Sequence, residues 1–183
     1  MGKLPAQPTV AICGSRKLRD GSAPRLLVKT IVALPEDSLV LVRAGMMYGM
    51  GPFERDVTKM CGLLGLRVEP RVPRETTGSP WPEEIQEPQD TMADRHPSNP
   101  RGRQLTFRRD LEMIDDADLV LLFVDEAEMG NQNSGTVMMV GKALEADGPT
   151  KAVYAYTVLK DGTLERIGEH DPGDTWAKIV PQV

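Results

Sequence analysis

The chain has 183 residues, of which 40% are hydrophobic and 27% charged, with a net charge of −5 at neutral pH; that suits one domain with a sizeable core. An acidic balance argues against broad binding to DNA or RNA, which depends on clustered cations displacing counterions, and aromatics at 4% leave no extensive surface for stacking bases or sugars. No apolar run approaches the roughly 20 residues needed to span a bilayer, and Met1-Gly2-Lys3-Leu4-Pro5 lacks the apolar core of a signal peptide, so a cytoplasmic protein with no membrane partner is expected.

Thr9 to Cys13 reads as a short buried strand, closed by the small-residue turn Cys13-Gly14-Ser15-Arg16. Pro24 opens a helix, in the first-turn position where its missing N–H matters least, and Leu26, Leu27, Thr30, Ile31 and Leu34 give that helix an apolar face at spacings of three and four. Ser38 to Val42 is the next strand. A glycine- and methionine-rich turn from Ala44 to Gly51 follows, then a helix from about Pro52 to Leu64, with Gly65 as the residue that ends it. Leu66 to Val72 alternates apolar and charged residues, as a strand near a sheet edge does.

Residues 73–100 break the rhythm. Pro73, Pro80, Pro82, Pro88, Pro97 and Pro100, with Pro70 just upstream, exclude a long helix or a central strand. The stretch reads as a surface insertion or a lid, with Trp81 as its one large apolar group. A helix resumes from about Gly102 to Asp115, then a strand over 119–124, a turn Gly130-Asn131-Gln132-Asn133-Ser134-Gly135-Thr136, and a helix from Ser134 to Ala146. Ala152 to Val158 makes a fifth strand. Lys160-Asp161-Gly162-Thr163 is a tight turn that folds Leu164 to Ile167 back as a hairpin partner, so 159–183 forms a hairpin and tail. Five strands separated by helices point to one α/β domain over 1–183, a mostly parallel sheet covered on both faces.

Small-residue turns between a strand and a helix present backbone N–H groups, a hydroxyl and the positive end of a helix dipole. Gly14, Ser15 and Arg16 form one such turn; Ser134, Gly135 and Thr136 form the other, with Ser134 as the helix cap. Two of them on neighbouring strands would face one crevice, and a phosphorylated small molecule is the ligand they suit. Gly45 in the methionine-rich turn allows close backbone approach, while Met46, Met47 and Met50 suit a subunit contact and with it a homo-oligomer. Glu54 stabilises the start of its helix or, facing the crevice, holds a pair of ribose hydroxyls. Arg101, Arg103, Arg108 and Arg109 make one helix locally basic, as a solvated face or an anion contact. Cys13 and Cys61 lack metal-ligand spacing and read as reduced packing thiols; His96 and His170 sit in polar stretches. No metal site and no cofactor is expected.

In order along the chain, Gly14-Ser15-Arg16, Gly45 to Glu54, Arg109-Asp110-Leu111-Glu112-Met113, Ala117-Asp118-Leu119-Val120 and Ser134-Gly135-Thr136 resemble the SLOG superfamily. This is the Rossmann-like group that includes the LOG phosphoribohydrolases and DprA, and the likeness is greatest to a small branch of bacterial and phage proteins. It covers roughly residues 8–158 and implies a Rossmann-like three-layer fold with about five strands and a nucleotide-type ligand. It also implies ligand contacts at Gly14, Ser15, Arg16, Gly45, Glu54, Arg109, Ser134, Gly135 and Thr136, and self-association. The branch has Asn where this chain has Asp110, and Gly-Ala-Asp where it has Pro52-Phe53-Glu54. The phosphoribohydrolases carry a glutamate shortly after the Gly-Thr pair; here Met138 and Met139 stand in that neighbourhood, and a methionine is neither acid, base nor nucleophile. The resemblance therefore implies binding before catalysis. The alternatives are an N-glycosidase in which Glu54 or Asp110 replaces that glutamate, and an interaction protein with a vestigial pocket.

Overall fold

Apolar runs and the turns between them set the architecture. The structure is a computed structural model and describes residues 3–18, 23–45, 49–73, 100–131, 134–145 and 151–183. Strands β1 (Thr9–Gly14), β2 (Leu39–Arg43), β3 (Arg67–Arg71), β4 (Leu119–Asp125), β5 (Ala152–Val158) and β6 (Leu164–His170) alternate with helices α1 (Arg25–Ala33), α2 (Pro52–Leu63), α3 (Pro100–Asp116) and α4 (Gly135–Glu145) as far as β5. They form one sheet in the order β3-β2-β1-β4-β5-β6. All neighbours are parallel except β5 and β6.

The expected sheet of about five strands thus has six. Gly162, at φ +82, and the bond from the Leu159 amide to the Thr163 carbonyl close the turn. The returning strand then runs to His170, past the expected end at Ile167. Its burial alternates only weakly, which is why sequence pattern alone ends it early.

Strand residues of opposite parity feed two cores, as the two-residue period of a sheet requires. On one face Val10, Ile12, Val40, Leu121 and Tyr154 pack with Leu27 and Ile31 of α1, with Phe53, Val57 and Cys61 of α2, and with Trp176 of the C-terminal segment. On the other, Ala11, Cys13, Leu41, Val120 and Val153 pack with Met113 and Ile114 of α3 and Met139 and Ala143 of α4. This is a three-layer α/β arrangement. α1 and α2 lie on one side and α3 and α4 on the other, so the chain changes faces between β3 and β4, and strand order reverses between the neighbours β1 and β4. In open α/β sheets ligand crevices form at that point, beyond the carboxyl ends of the strands.

The apolar face expected for α1 is the buried one, and Gly65 ends α2 in the left-handed conformation at φ +73. Residues 74–99, with Trp81 and His96, lie outside the described residues, as do 46–48 of the methionine-rich turn. Among the described residues no helix is long and apolar enough to cross a membrane.

Candidate functional site

A cavity of about 780 Å³ opens beyond the carboxyl ends of the central strands. Arg16, Gly45, Glu54, Arg109, Asp110, Ser134, Gly135 and Thr136, all singled out from sequence, line it. Gly14 and Ser15 do not; both are packed behind its wall.

The two turns are tied together from two directions. Ser15 is fully buried. Its hydroxyl accepts the Asp125 amide at 2.9 Å and donates to Glu128 Oε2 at 2.8 Å, so it has no proton left for a ligand. Ser134 donates to the same Glu128 oxygen at 2.9 Å, while its oxygen faces the Val137 amide at 3.4 Å as a weak helix cap. From the other side, Arg43 Nη2 donates to the Gly14 carbonyl and, at 2.9 Å, to Thr136 Oγ1. One carboxylate and one guanidinium thus span the crevice between β1 and β4.

Arg43 closes β2 and lines the floor of the cavity, its side chain 11% exposed. Its Nε lies 3.4 Å from Glu54 Oε1 and its Nη1 donates to Met139 Sδ at 3.8 Å. Burial by itself would depress its pKa. The opposing charges of Cys13, Asp110 and Glu54, and the Glu54 bond, outweigh burial and hold it above the ordinary guanidinium value. Burial pushes the Cys13 thiol up to about 12, against the pull of Arg43. At neutral pH that thiol is uncharged, so the two carboxylates carry the stabilisation of Arg43. Alongside, Arg109 Nε donates to Asp110 Oδ1 at 2.7 Å and its Nη1 to the Ala44 carbonyl at 2.8 Å, all buried. The floor is therefore two compensated ion pairs. Pairing is what makes burying four charges tolerable.

The rim differs from the floor. Arg16, Arg55 and Arg103 also line the cavity. Arg16 and Arg103 are exposed, and neither has an ion-pair partner among the described residues. The first turn of α4 leaves the Gly135 and Thr136 amides without acceptors inside their own helix. Thr136 accepts from Arg43, and among the described residues its hydroxyl proton has no acceptor. Met50, Pro52, Phe107 and Met138 add an apolar wall. Among the described residues no group of three or more His, Cys, Asp or Glu side chains is gathered as for a metal ion. Arg108, expected on a basic helix face, faces Glu112 at 3.1 Å.

Arg43 and Glu128 are the site residues that sequence reading missed. A charged residue ending an apolar strand, Leu39-Val40-Leu41-Val42-Arg43, was the available signal for the first. Nothing in Glu126-Ala127-Glu128 separates one acid from the other; only convergence in space does. Compared with protein-family models, with curated proteins and with solved structures, the chain matches none.

Proposed function

We propose that the cavity binds a phosphorylated, nucleotide-derived small molecule of the nucleoside phosphate, ADP-ribose or cyclic-nucleotide type, for sensing or sequestration. The observation that carries this reading is the charge of the cavity. Five arginines against three carboxylates line it, in a chain of net charge −5. With Arg43 and Arg109 compensated on the floor, Arg16, Arg103, the α4 amides and the Thr136 hydroxyl are the donors for phosphate. Guanidinium forks suit phosphate oxygens, and the helix terminus adds its dipole. The apolar wall of Met50, Pro52, Phe107 and Met138 suits the flat face of a base. Ser15, expected from sequence as a phosphate donor, has a supporting role here, holding Glu128.

A second reading, an N-glycosidase or phosphoribohydrolase acting on a nucleoside monophosphate, rests on Glu54 and Asp110, which both line the cavity. Each already faces a guanidinium, which suits a stabilising charge better than proton transfer.

Thermal shift with nucleoside mono-, di- and triphosphates, ADP-ribose and cyclic nucleotides, followed by chromatography of the recovered ligand, tests both. Stabilisation with intact ligand is the expected result, and Arg16→Gln should weaken it by roughly tenfold in affinity. Released base, lost in Glu54→Gln or Asp110→Asn, would favour the enzyme. No shift with any compound would overturn the ligand reading and favour an interaction role.

A further inference from the structure

Glu128 is held in an unusual way for a loop carboxylate. Two hydroxyls from separate turns, Ser15 after β1 and Ser134 before α4, both donate to its Oε2. Among the described residues no donor reaches its Oε1, and the residue lines the cavity. The loop that carries it is fastened along its length. The Asp125 side chain accepts the Ala127 amide, Glu126 accepts the Lys160 amide, Thr157 donates to Met129 Sδ and the Asn131 amide bonds the Glu128 carbonyl. A carboxylate so fixed is oriented before any ligand arrives, so the cost of ordering it does not fall on binding.

An ionised carboxylate only accepts hydrogen bonds. It repels phosphate and leaves an unsatisfied buried donor demand for any apolar group pressed against it. Phosphate already has the rim arginines and the α4 amides, and a base has the apolar wall. The group left for Glu128 is a neutral donor on the ligand. Resting on the ligand reading above, we propose that Glu128 is the specificity-determining carboxylate of this cavity: with Oε2 fixed by Ser15 and Ser134, its Oε1 accepts from a sugar hydroxyl of the bound molecule. The two serines act as positioning residues through it.

The test titrates AMP and its 2′,3′-dideoxy counterpart calorimetrically into the full chain, the Glu128→Gln variant and the Ser15→Ala/Ser134→Ala double variant. Inorganic phosphate against the wild-type chain reads the phosphate subsite by itself. The wild-type chain should prefer AMP over the dideoxy compound by roughly ten- to a hundredfold, the range of a hydrogen bond to a charged group. Glu128→Gln should bring that ratio close to one. The double variant keeps the carboxylate but loosens it, and should give an intermediate ratio. If Glu128→Gln fails to fold, as a thermal melt would show, the wild-type ratio and the double variant still decide. Equal affinity of the wild-type chain for both compounds, or a ratio kept in Glu128→Gln, would overturn the proposal while phosphate binding leaves the ligand reading standing. Tighter AMP binding by Glu128→Gln would overturn it too, by showing that the carboxylate occupies the anion's own seat. Binding of none of the three probes by the wild-type chain would overturn both readings.

Discussion

The two turns that meet at the centre of the sheet are built from the same residue types and end up in opposite situations. At Gly14-Ser15 the backbone is pressed against α2. An added Cβ on Gly14 would lie 2.4 Å from ring atoms of Phe53, and that ring belongs to an aromatic row through Phe123 to Tyr156, with centroids 5.5 Å apart at each step. At Gly135 the nearest atoms to such a Cβ are Asp110 Oδ2 at 3.7 Å and Arg43 Nη1 at 3.9 Å, ordinary contact distances, and the residue is exposed. A glycine can thus mark close packing at one turn and an open cavity wall at the other. What separates them is the layer above: α2 covers the first, and the cavity lies over the second.

Cutting the tie between the turns should have the largest effect. Arg43→Met leaves Glu54 without its guanidinium and frees both the Gly14 carbonyl and Thr136. Breaking a buried pair from one side costs about 3–5 kcal/mol, read as a lowered urea midpoint with an unchanged slope. The contrast itself is sharpened by the glycines. Gly14→Ala should destabilise by about 1–3 kcal/mol through overpacking against Phe53, whereas Gly135→Ala should stay within about 0.5 kcal/mol. Equal losses at the two positions would break the distinction.

A further effect is a slope of stability with pH in alkaline solution, shared among Cys13, Cys61 and the buried phenols of Tyr154 and Tyr156, all raised by burial. Cys13, immediately before Gly14, ionises near 9.0 when unfolded and is pushed up to about 12 by burial in the fold. Its contribution is therefore fully present below pH 9 and lost as pH rises toward 12. The loss is on the order of 1 kcal/mol per pH unit. Cys61, pushed up to about 11 by burial, adds to it. Unfolding titrations at pH 8 to 11 should show the slope, and Cys13→Ala should reduce it without abolishing it.

Much of the fold was legible because strand and helix periods are local. Thr9 to Cys13, the α1 face and Gly65 each declare themselves within a few residues. The sixth strand was partly hidden, since an edge strand half open to solvent carries a weak pattern. In the site, the positions of both turns were readable and their roles were not. Whether Ser15 faces a ligand or Glu128 depends on a loop 113 residues away in sequence, and no local pattern records that. Arg43 was overlooked for a related reason. A charge at the end of an apolar strand reads as the point where the chain meets water, yet here two carboxylates from different helices draw it onto the floor of the cavity.

One edge of the sheet has a consequence for how copies of this chain can meet. Among the described residues β3 pairs only with β2, and Pro70, opposite Val42 in that pairing, has no N–H to offer a newcomer. Arg67 and Glu69 are exposed on the same strand, and Arg71 is tied back to Glu69 at 2.5 Å and to Asp116 at 2.7 Å. Charges and proline on an outer strand are a recognised defence against strand-by-strand growth. On this side the sheet is closed to recruitment into fibrils or continuous sheets, and association there has to go through side-chain surfaces.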